Sequence, residues 1–253
     1  MPWPPTLYKE IIMPYGYYYG FDWTYIVLVL PCLIFAMIAS SGVKSTFQKY
    51  SRQLSTRGIS GAEAAQRVLA ANGVQGVRIE RVSGSLTDHY DPKANVIRLS
   101  DSVYGSTSTA AIGVACHEAG HAVQYAMGYV PIKVRAAIIP LTNFGSKLAM
   151  PLILLGILLS SLGEMSYFFI YLGIAAFGLS FLFQLVTLPV EFNASRRAMQ
   201  AIASANILTE EEQTGARKTL RAAAMTYVAA TATALAQLLR LILLYGNRGR
   251  RRR

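Results

Sequence analysis

Ala115-Cys116-His117-Glu118-Ala119-Gly120-His121-Ala122 is the stretch around which the rest of the chain arranges itself. It reads H-E-x-x-H, with small or apolar residues on both sides. Positions i and i+4 of a helix share one face. His117 and His121 can therefore offer two imidazoles to one Zn²⁺, with Glu118 beside the metal as general base. Two imidazoles and a carboxylate would be costly in an apolar helix without a partner, so a metal-free buried cluster is the poorer reading. The pattern points to zinc-dependent peptidase chemistry.

The surrounding composition is that of a membrane protein. The 253-residue chain is 53% hydrophobic and only 15% charged, against about 25% charged in soluble domains. Its net charge of +11 would suggest nucleic acid in a soluble protein. Here the basic residues lie between and after apolar runs, where orientation and anionic lipid explain them. With no zinc-finger spacing and no RNA-binding signature, nucleic acid is not expected as a partner. The two cysteines, Cys32 and Cys116, read as buried free thiols rather than a disulfide framework. Cys116 points about 100° away from His117 on the helix and is not counted as a ligand.

On the N-terminal side, Met1–Phe21 is rich in Pro, Tyr and Trp and has neither the basic start nor the cleavage site of a signal peptide. Its aromatics suit a membrane interface. Trp23–Ser40 carries no charge and is long enough to span, with a kink expected at Pro31. Lys44, Lys49, Arg52 and Arg57 follow it, so the positive-inside rule places residues from about 44 onward in the cytoplasm. Ser60-Gly61-Ala62-Glu63 predicts a capping box opening a helix over Ala62–Asn72, ended by Gly73. Val77–Val82 alternates like a strand. Leu86–Asp91 and Asn95–Ser100 predict a hairpin turning at Asp91-Pro92-Lys93-Ala94. Such a sheet either presents an edge strand to an extended peptide or simply covers the zinc helix. That helix is expected from about Thr109 to Met127, capped within Ser106–Thr109 and ended at Gly128.

Beyond it, Ile138–Leu162 and Ser166–Pro189 reach spanning length. Lys147 is read as the cytoplasmic end of the first, and Ser160–Ser166 as a hairpin tip. Thr209-Glu210-Glu211-Glu212 predicts another helix start. Ala222–Tyr245 is apolar but rich in Ala and Thr, and holds Gln237 and Arg240. Were it to span, the tail of Arg248 and Arg250–Arg253 would lie outside. A helix buried against the catalytic part or lying in the interface is therefore preferred, with a fourth span as the alternative.

A catalytic zinc takes three protein ligands and leaves one position open. The chain has three histidines, His89, His117 and His121, and after His121 no aspartate and only Glu164, Glu191 and Glu210–Glu212. Glu164 falls at the hairpin tip, across the membrane. Glu210–Glu212 form a capping run. Two crossings bring Glu191 back to the side of His117, and Glu191–Arg196 reads as the start of a helix. Glu191 is thus assigned as third ligand against the alternative of a helix N-terminal carboxylate. His89, within Thr87-Asp88-His89-Tyr90-Asp91, lines the cleft, stabilises an oxyanion, or is a surface residue.

These residues carry a resemblance. Leu86–Pro92, His117–Gln124, Thr187-Leu188-Pro189-Val190-Glu191-Phe192 and Ala222–Ala229 together resemble the YugP-type neutral zinc metallopeptidases, membrane proteins of bacteria, over nearly the whole chain. A more distant likeness is to the HtpX-type membrane metalloproteases, which also insert a membrane hairpin between zinc helix and ligand glutamate. The chain departs from the family pattern at Asn193, where the family carries Asp. The resemblance implies a membrane-bound zinc peptidase and no particular substrate.

The expected fold is an α+β membrane protein: a zincin-like part with a small sheet and the H-E-x-x-H helix, plus about three transmembrane helices. The expected division is 1–43 for the N-terminal segment and first span, 44–137 for the cytoplasmic zincin-like part, 138–189 for the membrane hairpin, and 190–253 for the third-ligand helix, C-terminal apolar helix and tail. The expected reaction is hydrolysis of peptide bonds in a protein or peptide substrate. A water acidified by Zn²⁺ at His117, His121 and Glu191 gives its proton to Glu118, which passes it to the leaving amine. His89, Tyr90 or Tyr227 would donate to the oxyanion. The alternative is a non-catalytic membrane scaffold whose zinc is structural, with His89 as fourth ligand. A polybasic membrane adaptor would explain the tail but not the motif.

Overall fold

The structure, a computed structural model, describes residues 22–246. The aromatic N-terminal segment and the arginine tail lie outside the described residues. A π-helical turn, Tyr25–Val29, leads into α1, Leu30–Tyr50. Pro31 sits in the first turn of α1, where its missing N–H costs nothing. The irregularity expected at Pro31 is thus taken up by the π turn ahead of it.

Outside the spans, α2 covers Gly61–Ala71, opened by the capping box in which Ser60 accepts from the Glu63 amide and Glu63 from the Ser60 amide. Strands β1 (Arg78–Val82), β2 (His89–Asp91) and β3 (Val96–Ser100) form a sheet in the order β1-β3-β2. β2 and β3 form the expected antiparallel hairpin, with Tyr90 opposite Ile97, while β1 runs parallel to β3. β3 is central because Val96, Ile97 and Leu99 are fully buried. β2 is left as an edge.

The motif helix α3, Thr109–Ala126, is capped by the Ser108 hydroxyl and closed at Gly128 with φ +66°. Its Ala- and Gly-rich composition answers a packing demand. A Cβ on Gly113 would lie 3.1 Å from the Ala216 backbone, and one on Gly120 would lie 2.8 Å from the Ala194 carbonyl oxygen. α3 is thereby held closely by two long helices, α5 (Glu164–Ser204) and α6 (Glu210–Tyr245).

Between α3 and α5 comes α4, Val130–Leu158, which packs along α5 as an antiparallel hairpin. Small residues let the two approach: a Cβ on Gly156 would meet the Ser166 carbonyl oxygen at 2.7 Å, and one on Gly173 the Ala149 carbonyl oxygen at 2.8 Å. Such contacts drive helix association where lipid removes the hydrophobic drive.

Among the described residues, four helices are long and apolar enough to cross a membrane: Tyr25–Tyr50, Val130–Leu158, Glu164–Ser204 and Glu210–Tyr245. Three expectations bear on these helices. Ala222–Tyr245 is part of one unbroken 36-residue helix that runs antiparallel to α1. The Glu212 carboxylate accepts from the Thr56 amide just past the end of α1, and Arg240 Nε donates to Asp22 Oδ2 at 2.7 Å at its start. It is of spanning length, as the alternative of a fourth span expected. Lys147, expected at the cytoplasmic end of its apolar stretch, is an exposed residue inside α4, near the level where Gly145 packs on Ala176. Finally, Glu191 does not begin a helix. α5 runs through Pro189 to Ser204, so Glu191 lies deep within it.

Candidate metal centre

The site forms where α3 crosses α5. His117 and His121 lie one turn apart on α3, with ring centroids 4.7 Å apart and planes nearly perpendicular. Glu191, only 2% exposed, reaches them from α5. Its Oε2 lies 3.2 Å from His117 Nε2 and 3.5 Å from His121 Nε2. Ligand atoms of all three side chains fall within 4.8 Å of one another.

The outer nitrogens explain why the Nε2 atoms face inward. Gln124 Nε2 donates to the Val190 carbonyl at 2.8 Å and to Asn193 Oδ1 at 3.0 Å. That fixes the amide with its oxygen toward His121 Nδ1, 3.0 Å away. His121 Nδ1 must then carry the proton, and Nε2 keeps its lone pair for the centre. His117 Nδ1 has Ser195 Oγ at 3.1 Å, which suits the same tautomer. Arg135 Nη1 on α4 donates to Glu191 Oε1 at 2.8 Å, leaving Oε2 for the histidines. Two imidazole nitrogens and one carboxylate oxygen, each oriented by a partner behind it, fit a divalent cation of borderline softness.

Charge reinforces the cluster. Burial works against a charged His121, but hydrogen bonds to Glu191 and Gln124 and the nearby carboxylates of Glu118 and Glu191 hold its pKa above the ordinary value. Burial also raises Asp88, with repulsion from Glu118 adding to it, although Ser100 donates to its carboxylate through both amide and hydroxyl. Burial alone pushes the Cys116 thiol well up. Cys116 is a free, buried and inert packing residue, as expected.

A cavity of about 280 Å³ opens over the cluster. Glu118 lines it beside both histidines, and so do His89, Tyr90 and Tyr227. These last three differ in what they offer. His89 is exposed, its Nδ1 2.8 Å from the Thr87 carbonyl oxygen and its Nε2 3.5 Å from Arg98. It stands at the cavity mouth, outside the three-residue cluster. Tyr90 donates its hydroxyl to Asn95 Oδ1 at 2.8 Å, so its proton is already committed. Tyr227, on α6, lines the same cavity as Glu118 and Glu191.

Sequence reasoning missed Arg135, Gln124 and Ser195. Two of them had a signal: Gln124 follows His121 by three residues and Ser195 follows Glu191 by four, the spacings that share a helix face. Arg135 had none, since a basic residue before an apolar run reads as an orientation mark. Asn193 keeps an acceptor in place: its Oδ1 receives Gln124 Nε2 and Arg197 Nε. With Asn at this position the network is made.

Comparison with known proteins agrees with this geometry. Residues 25–246 match the family described as "Putative neutral zinc metallopeptidase". The chain is 46% identical over 223 residues to "Putative membrane protease YugP" of Bacillus subtilis (strain 168), covering 88% of this chain and 97% of that protein. No solved structure matches. A match across all four long apolar helices and the three-donor cluster, with this level of identity, leaves one assignment: the chain belongs to the neutral zinc metallopeptidase family of membrane proteins.

Proposed function

We propose that the chain is a membrane-anchored endopeptidase whose cation is zinc, held by His117, His121 and Glu191, with Glu118 as general base. The observation that carries this is the convergence of three oriented donors beside Glu118 in an open cavity. Three ligands rather than four is the catalytic pattern. His89, the fourth ligand that a structural zinc would need, stands outside the cluster among the described residues, which weighs against the scaffold reading. When bound, zinc would supply Lewis acidity for the scissile carbonyl and acidify a water.

The chain's own residues do the rest. Glu118 accepts the water proton at its carboxylate and returns it to the leaving nitrogen. Tyr227, which lines the cavity with Glu118 and Glu191, is the better donor to the oxyanion, because the Tyr90 hydroxyl is engaged by Asn95. The outer edge of β2, whose His89 and Tyr90 line the cavity, offers main-chain hydrogen bonds to an extended peptide.

The site faces the cytoplasm in this reading. Lys44 and Lys49 in the last turns of α1, Arg52 and Arg57 just after it, and Arg196, Arg197, Arg217, Lys218 and Arg221 around the return from α5 to α6, lie at the site's end of the helices. The division into 1–43, 44–137, 138–189 and 190–253 is kept as a functional one, its boundaries falling inside α1, α4 and α5.

The deciding experiment compares wild type with Glu118→Gln in detergent micelles. Zinc content is expected to be equal, and casein cleavage to fall about a hundredfold or more. Undiminished proteolysis in the variant would remove Glu118 from the mechanism.

A further inference from the structure

Glu118 stands at the junction of two cavities. The second, of about 140 Å³, shares Asp88, His117, Glu118 and Tyr227 with the first. Beyond those residues its character changes. Val43 and Phe47 from the inner end of α1, Val114 from α3, and Leu220 and Ala223 from α6 make its wall apolar. The first cavity instead carries His89 and Arg135. A chain laid from one cavity to the other would pass its backbone over Glu118 and His117, which line both. The residue on one side of that point turns its side chain into the apolar cavity.

Size and rim agree with a bulky occupant. An apolar cavity of about 150 Å³ accepts a benzene ring. Leu86, at the rim, is 43% exposed and holds φ at +57°, the left-handed region that a leucine rarely adopts. It is not part of the buried core. Strained backbone of this kind collects at ligand clamps. Here it keeps an apolar side chain over the mouth of an apolar cavity.

We infer that the second cavity is a side-chain subsite, and that the substrates are polypeptides cut beside Leu, Met or Phe. This rests on the peptidase reading above. In the test, the full chain in micelles with zinc digests casein, and cleavage sites are read by mass spectrometry. Wild type is expected to place a bulky apolar residue on one fixed side of the cut. Ala223→Phe, which fills the cavity, and Leu86→Gly, which removes the rim and relieves the backbone, are expected to shift the ratio of cutting beside Leu or Phe to cutting beside Gly or Ala by about tenfold. Leu86→Gly stands alone if Ala223→Phe does not fold. A wild type with no apolar preference, or variants with an unchanged ratio, overturns the subsite. If wild type cuts nothing, the peptidase reading fails. Binding of fluorescent peptides to Glu118→Gln then decides the cavity by itself: about tenfold tighter binding of a Leu peptide than its Gly analogue supports the subsite, and equal affinity overturns it.

Discussion

Arg135 shows how one side chain sets the chemistry of another. Glu191 has two oxygens, and only one of them can serve the histidines without the other drifting in. The 2.8 Å bond from Arg135 Nη1 to Oε1 settles which. Replacing Arg135 by Gln should leave the fold intact and weaken zinc binding about 10–100-fold, the usual cost of losing a group behind a ligand. Competition with a fluorescent zinc chelator measures it; unchanged affinity would mean that Gln124 and Ser195 orient the site unaided. Arg135 was invisible in the sequence because it sits 14 residues after His121 on a different helix. Only the hairpin's packing brings α4 over the metal ligands. His117, Glu118 and His121 were legible for the opposite reason: helical spacing alone joins them.

At the scale of elements, the site depends on how closely α3 and α5 approach. Gly120, between the two histidines, faces the Ala194 carbonyl oxygen, and an added Cβ would sit 2.8 Å from it. Something must move, and what moves carries Glu191. Gly120→Ala is expected to destabilise the protein by about 1–3 kcal/mol, as overpacking does, and to lower zinc affinity as well. Thermal melts with and without zinc check both. A variant that melts early yet binds zinc normally would show that the helices separate without tilting. Element boundaries were read less well than element identities. The Ser60 and Thr209 capping boxes and the turn at Asp91–Ala94 were legible because each is a local hydrogen-bond pattern. Glu191 looked like a helix start because Pro189 and the change from apolar to polar residues both imitate a boundary. The helix continues because Pro189 leaves only the Leu185 carbonyl without its intrahelical partner, a loss that neighbouring packing outweighs.

For the whole molecule, the least legible feature was the last helix. Its Ala- and Thr-rich sequence and its Gln237 and Arg240 weakened the membrane signal. The fold answers the charge from a distance and the threonine from within the helix. Arg240 pairs with Asp22 at the start of α1, and the Thr233 hydroxyl donates to the Ala229 carbonyl within its own helix. Only the antiparallel packing of α6 on α1 makes the charged residue acceptable there.

The unbroken run of α5 has a mechanical meaning. At 41 residues it is about 60 Å long, roughly twice the hydrocarbon thickness of a bilayer. Its apolar first half is the part suited to lipid, and its second half carries Glu191 two residues past Pro189, the one proline within the helix. Such a rod is a lever, and its fulcrum is the membrane surface. Lipids too thin for the hairpin tilt it, and the tilt swings Glu191 across the two imidazoles. Zinc release to a chelator should therefore be faster from nanodiscs of short-chain lipid than from those of matched length, by a factor that a Pro189→Ala variant increases. Equal release in every lipid would show that the proline absorbs the motion. In the first case the bilayer's thickness belongs to the list of things that set the metal's lifetime in the protein.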